Sequence, residues 1–378
     1  MTRSGDVIAG IETILLRAPL AGVVHNPVLA RKREREAIIV RVRMRSGLLG
    51  EGYVTVLGAG AGEVVRAVDD LLAPVLVGRE GCDPEACWAA MIRQTHLAFW
   101  TRPIVMRAIA AVDVALWDAV GKASGQPLSR LWGGTRERLP VVTMGTGWSP
   151  DAPDGEVVTA VEGLRRNGAA GVKLKVGRLS PLGIDGDARR LAALRRATGA
   201  DFIIVADANQ GWPVEAALAF AEAVAPLDLA WIEEPCLWPD DHRDLARVRS
   251  TGLVRIGAGQ MEITPEGCRR MLEAGAVDVC NFDATLGGGP TAWRRVAVLA
   301  KSLGVAMVHH QEPQLGLQLV AAIPHGLHLE VYEPDADPFF YRLVANCPRM
   351  AVGSCEVPQE PGWGLVLDER FIAKYRVA

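Results

Sequence analysis

Paired cysteine motifs are missing from this chain. Cys82, Cys87, Cys236, Cys268, Cys280, Cys347 and Cys355 are scattered, odd in number and without a Cys-x-x-Cys pair. A reduced, cytoplasmic compartment is the expected setting. A charge excess is missing too. The formal net charge is −3, with neither a basic patch for nucleic acid nor an acidic tail. No apolar run approaches the length that spans a membrane. Asp6, Glu12 and Arg17 interrupt any signal-peptide core. What these absences leave is a soluble protein whose expected partners are a small molecule and further copies of itself.

Apolar residues make up 49% of 378, enough for two domains or for one barrel with a large addition. The first 130 residues have an α+β texture. Asp6–Leu16, Glu36–Arg45 and Tyr53–Leu57 alternate like strands of an antiparallel meander, with turns at Ser46–Gly47 and Gly50–Gly52. Helical patterns follow at Glu63–Leu72, Asp83–Met91 and Arg102–Ala123. The mixed-sign run RKRERE at Arg31–Glu36 reads as a solvated edge. Two Gly-rich stretches, Leu20–Pro27 and Thr55–Gly62, read as loops able to close over a site.

From about Leu139 one device repeats. A short apolar run ends in a charged or ligand-type residue, and an amphipathic segment follows. GVKLKV carries Lys173 and Lys175, FIIVADAN ends near Asp207, and LAWIEEP brings Glu233. RIGAGQME carries Gln260 and Glu262, VDVCNFDA carries Asp283, GVAMVHH carries His309 and His310, and LHLEVYE carries Glu330. From Asp207 on, these residues recur about every 20 to 27 positions, the length of a strand, a helix and two loops. Such units close into a TIM-like barrel whose strand ends meet on one face, where active sites lie. The barrel is expected over residues 139–333, capped by residues 1–130. The Pro- and Gly-rich tail, 334–378, would fold back on the cap with a turn and strand in VPQEPGWGLVLD.

Converging carboxylates need neutralising. Two of them roughly 4 Å apart repel by about 4 kcal/mol at an effective dielectric near 20. Hard oxygen donors without Cys or His favour Mg²⁺, with Mn²⁺ as the alternative. Asp207 and Glu233 are the first two candidate ligands; Glu234 should face away. Lys173 and Lys175 share a strand face opposite Val172, Leu174 and Val176, which points both into the mouth. Two ammonium groups beside a cation would lower each other's pKa and make a lysine a competent base. His310 and Asp283 end neighbouring strands, so the carboxylate could fix the imidazole tautomer, provided His309 points away.

Taken in order, KLK, ADANQGW, WIEEP, FDATLGGGPTAW, VHH and HLE resemble the enolase superfamily, mandelate racemase subgroup. The segment Ala110–Gly134 is similar to that family's linking helix. The resemblance implies a (β/α)7β barrel with an N-terminal α+β cap, Lys175 and His310 as the two bases, and Asp283 as the group orienting His310. It implies substrate contacts from Lys173 and Asn209, with Glu330 as electrophile. The use of a Lys or His base with Mg²⁺ is a general property of enolase-type sites. The chain departs at the third ligand, where Gly259-Gln260 replaces the usual Gly-Glu. If the strand continued, Glu262 would share Gln260's face and take over on charge grounds, leaving Gln260 to substrate; Gln260 itself is the alternative ligand.

The expected reaction is dehydration of a sugar acid, an aldonate or aldarate, to a 2-keto-3-deoxy acid. His25, Arg102, Gln210, Gln311 and Glu312 are polar candidates for binding its hydroxyls. A racemase or epimerase acting by 1,1-proton transfer is the alternative. A metal-binding relative without catalysis is a second alternative, and a phosphate cradle at Gly287–Gly289 a third.

Overall fold

Alternation of apolar residues at the start of the chain builds an antiparallel three-stranded sheet: β1 (Ile8–Pro19), β2 (Glu34–Met44) and β3 (Leu49–Val56), in that order. The computed structural model describes residues 5–20, 34–56, 60–96, 101–145, 149–177, 180–238, 241–351 and 353–377. His25, with residues 21–27 of the first Gly-rich stretch and 57–59 of the second, lies outside these residues; the rest of the second stretch is largely not loop, since Thr55 and Val56 end β3 and Ala61 opens a helix, Ala61–Arg66.

The expected turn at Gly50–Gly52 is instead inside β3. The two glycines serve close packing. A Cβ on Gly50 would lie 2.2 Å from the Ala115 carbonyl oxygen, and one on Gly52 would lie 2.4 Å from Val114. Both contacts belong to the long helix Arg102–Ser124, which lies across the sheet. The turn sits at Gly47, whose φ of 92° suits glycine. Arg35 also departs from expectation. The mixed-sign run is no solvated edge there, because this side chain is 4% exposed.

Eight parallel strands follow: β4 (Arg138–Met144), β5 (Gly171–Lys175), β6 (Ile203–Asp207), β7 (Trp231–Glu233), β8 (Ile256–Ala258), β9 (Val279–Cys280), β10 (Ala306–His309) and β11 (Gly326–Val331). Pairing of β11 with β4 closes the barrel. A helix connects each successive pair, from Asp154–Arg166 to Pro313–Ala321. The architecture is therefore a (β/α)7β barrel. Its floor is apolar: Val205, Trp231, Val279 and Val308 pack together inside, with Trp231 stacked on His328 at 5.2 Å. Burying each such side chain fully contributes roughly 1.5–3 kcal/mol.

The tail binds both parts. β12 (Met350–Ala351) and β13 (Ser354–Glu356) form a hairpin whose second strand runs antiparallel to β4. The strand expected in VPQEPGWGLVLD is reduced to isolated bridges at Gly362 and Leu367. Beyond it, Asp368 accepts from the amides of Arg370 and Phe371 and caps a helix, Glu369–Tyr375. Phe371 and Ile372 of that helix join Ile14, Leu16 and Tyr53 of the cap in one apolar cluster.

Candidate active site

Strand register brings the first three residues together. Lys175 on β5 pairs with Asp207 on β6, and Asp207 pairs with Glu233 on β7. The Lys175 Nζ donates to Asp207 Oδ2 at 2.5 Å and to Asn209 Oδ1 at 2.6 Å. Two residues earlier on the same face, Lys173 is fully enclosed. Its Nζ donates to Glu233 Oε1 and Glu330 Oε1, each at 2.7 Å, and lies 3.9 Å from Asp207.

That cage sets the charge of Lys173. Burial pulls its pKa down, but Glu233, Glu330 and Asp207 outweigh burial and hold it well above the ordinary lysine value. The expectation of two mutually depressed lysines therefore does not describe Lys173, which is held as a charged tie between strands. The same balance acts on its partners. Against burial, Lys175 and Lys173 keep Asp207 below the usual carboxylate range. Burial pushes Glu233 up to about 8 despite Lys173. Glu234, whose carboxylate accepts from Gln260 Nε2 at 2.7 Å, is pushed by burial up to about 7.

On the opposite side of the mouth, His310 Nδ1 lies 2.9 Å from Asp283 Oδ2. Thr285 donates its amide and hydroxyl to the other oxygen, each at 2.7 Å. Burial would raise the Asp283 pKa, yet His310 holds it below the ordinary value. The doublet ambiguity resolves in the backbone: His309 Nε2 accepts from the Ala284 amide at 3.1 Å, and its Nδ1 meets the Gln311 carbonyl at 3.1 Å. Glu330 joins the two sides, since its second oxygen accepts the Gln311 amide at 3.1 Å.

Gln260 and Glu262 do not share a strand face. β8 stops at Ala258, Gly259 adopts a φ of 131°, and the Glu262 amide closes a turn onto the Gly259 carbonyl. Gln260 is buried between Glu234 and Asn281. Glu262 points instead to His242, 2.7 Å away, on the wall of a cavity of about 490 Å³ that Gln210 and Glu234 also line. Among the described residues, no three His, Cys, Asp or Glu side chains gather as a ready ligand set. Of Gln260 and Glu262, the buried side chain beside Glu234 is the Gln260 amide. The donors nonetheless suit a hard divalent cation. Asp207 and Glu233 are fully buried, Gln260 adds a neutral oxygen, and the carboxylates of Asp207, Glu233, Glu234 and Glu330 outnumber the two lysines.

Backbone conformation marks the same ring. Among the described residues, six that are not glycine have positive φ, and Asn209, Gln210, Glu234, Gln311 and Glu312 are five of them. All five follow the ends of β6, β7 or β10. Strain of this kind persists where surrounding contacts impose it, and it clusters at functional sites. Gln210 Nε2 and Gln311 Oε1 are also buried without partners among the described residues.

Two other candidates have different surroundings. Arg102 is exposed on the first turn of its helix. Glu312 is committed to Arg35 at 3.5 Å, to Thr55 and to Gln314, so the cap and the rim share a buried ionic contact. Arg35 also reaches Asp337 in the tail at 3.4 Å. Sequence reasoning missed it because its partners are about 280 and 300 residues away. The glycine triplet is a packing turn. A Cβ on Gly287 would strike the Phe282 ring and one on Gly289 would strike Asp113, while Trp88 Nε1 donates to the Gly288 carbonyl at 2.7 Å.

Comparison with known proteins gives the family. A family model described as enolase C-terminal domain-like matches residues 156–371, and the mandelate racemase / muconate lactonizing enzyme N-terminal domain matches residues 17–133. The 3,6-anhydro-alpha-L-galactonate cycloisomerase of Streptomyces coelicolor is 30% identical, over 98% of this chain and 100% of its own. The L-talarate/galactarate dehydratase of Salmonella typhimurium is 29% identical, over 97% and 90%. A mandelate racemase/muconate lactonizing enzyme from a marine actinobacterium, solved in complex with magnesium, superposes with a TM-score of 0.90 at 39% identity, over 99% and 100% of the chains. The chain belongs to the mandelate racemase and muconate lactonizing enzyme family of the enolase superfamily.

Proposed function

We propose that this protein is a magnesium-dependent enzyme that removes the proton next to the carboxylate of a sugar acid and expels the oxygen on the adjacent carbon. The observation carrying this reading is the register of Lys175, Asp207 and Glu233 on three neighbouring strands, faced by the His310–Asp283 pair. Asp207, Glu233 and Gln260 would hold the ion; Glu262, turned to His242, would not. A bound Mg²⁺ would neutralise the charge that builds on the substrate carboxylate as the proton leaves.

Lys175, fixed by Asp207 and Asn209, takes the proton from C2. The electron pair left at C2 forms the C2–C3 double bond as the C3–O bond breaks. His310, with Nδ1 engaged by Asp283, gives its proton to the departing oxygen. Lys173, held by Glu330 at 2.7 Å, grips the carboxylate end of the substrate. Ketonisation of the enol then yields a 2-keto-3-deoxy acid. If the leaving oxygen is a hydroxyl, water departs and the enzyme is a dehydratase, which is the reading preferred here. The Streptomyces coelicolor relative favours a second leaving group. In a 3,6-anhydro acid the C3 oxygen belongs to a ring, so the same cleavage would isomerise the substrate without losing water.

The test is a panel of aldonates, aldarates and 3,6-anhydro acids incubated with protein and Mg²⁺. A 2-keto product is expected from at least one. Exchange of the α-hydrogen with deuterium but no 2-keto product from any acid would replace elimination with epimerisation.

A further inference from the structure

The helix Arg102–Ser124 carries a cation, Arg107, that has no partner among the described residues. Arg107 forms no hydrogen bond, ion pair or ring contact with any described residue, although it is half-buried. Pro103, one turn earlier on the same helix face, lines the cavity that Gln210 and Glu234 also line. Burial pushes the Arg107 pKa below the ordinary guanidinium value, opposed by the charges of Asp283 and Glu312. Neither carboxylate is free to pair with it. Asp283 is taken by His310 and Thr285, and Glu312 by Arg35, Thr55 and Gln314.

The backbone beside Arg107 is fixed. Met106 packs on the glycine turn, its Cε 2.7 Å from where a Cβ of Gly288 would stand. Further along the helix, Asp113 accepts from the Thr291 amide at 2.8 Å and from its hydroxyl at 2.9 Å. A half-buried guanidinium with no partner among the described residues lowers stability relative to an apolar side chain, and an anionic group of a substrate would offset that cost. The planar fork of arginine suits a carboxylate held by two hydrogen bonds. The carboxylate beside the reacting carbon already has Lys173 and the metal ligands.

We propose that Arg107 binds the far carboxylate of a dicarboxylic sugar acid and thereby selects aldarates over aldonates. This rests on the sugar-acid reading above. Arg102, five residues earlier and exposed, does not take this role. The orphaned Gln311 Oε1 offers an acceptor to a hydroxyl between the two carboxylates.

The magnesium-loaded full chain is assayed on galactarate and galactonate, which differ at the far end. Wild type should prefer galactarate. Arg107→Met should lower the galactarate-to-galactonate ratio of kcat/KM about 10- to 100-fold, mainly through KM, without lowering Tm. Arg107→Lys, keeping charge without the fork, should recover part of the ratio. An unchanged ratio, a wild-type preference for galactonate, or a fall in Tm with equal loss on both acids would overturn the proposal. If neither acid is turned over, calorimetric binding of galactarate to Lys175→Ala, with and without Arg107→Met, decides. Binding that depends on Arg107 supports the subsite even where the reaction reading fails, and binding that ignores it, or none, overturns it.

Discussion

The floor and the rim of this barrel follow opposite rules. On the floor, Val205, Trp231, Val279 and Val308 pack as an apolar plug. A strand residue or two above them, Asp207, Glu233 and Glu330 are as deeply buried as that plug, but charged. The rim also holds residues in left-handed backbone and the orphaned amides of Gln210 and Gln311. The floor gains stability from packing, while the rim gives some up to hold charges and polar atoms where a substrate can use them. The boundary is sharp, as Trp231 shows: its ring stacks in the floor while its Nε1 donates to Glu233 at 3.2 Å.

The contrast predicts different consequences for nearby substitutions. Lys175→Ala and His310→Asn should each lower kcat by about 10²–10⁴-fold with Tm unchanged or raised, measured by turnover and thermal unfolding. A large loss of stability in either would mean the rim is structural after all. Lys173→Met should lower stability by about 3–5 kcal/mol in denaturant titrations of the metal-free protein, because Glu233 and Glu330 lose their shared counter-charge inside the barrel. If stability holds, the Lys173 cage is not the tie between strands described here.

At the third ligand, Gln260→Glu should tighten Mg²⁺ binding by about tenfold in calorimetry, whereas Glu262→Gln should change it by less than about twofold. The reverse pattern would return the ligand role to Glu262.

The smallest effect concerns the seam between cap and barrel. Burial, only partly opposed by hydrogen bonds from Thr291, raises the Asp113 pKa from 3.8 to about 8. A folded-state pKa above the unfolded one favours folding when the group is protonated. That contribution is complete below about pH 4 and is lost as pH rises through about 8. Asp113→Asn should therefore flatten the fall of Tm between pH 5 and pH 8 by a few degrees, about 2–4 °C. An unchanged slope would place the pH sensitivity elsewhere.

Much of this was legible in the chain because the barrel writes itself locally. The barrel strands are short and mostly apolar, and in β5, β6, β7 and β11 a charged residue at or next to the end (Lys175, Asp207, Glu233, Glu330) announces the rim. Lys173 and Lys175 needed only the two-residue period of a strand to be placed on one face. Illegible features depended on distant partners. Gly50 and Gly52 read as a turn, yet they are spaces for the long helix. Arg35 read as solvated because local pattern cannot see Glu312 or Asp337. Glu262 looked like a ligand on the assumption that β8 continued; Gly259 ended it. The helix Glu369–Tyr375 was hidden by its short length and the prolines before it.

The sequence by itself determined the family of fold, the order of the strands and which residues end them, since hydrophobic period and spacing are properties of adjacent positions. Only the tertiary structure decided which carboxylates meet which lysines, that Gln260 and not Glu262 lies buried beside Glu234, and that Arg107 has no partner among the described residues. Charge pairing and burial depend on distances through space, and those are settled when the barrel closes and the cap docks upon it.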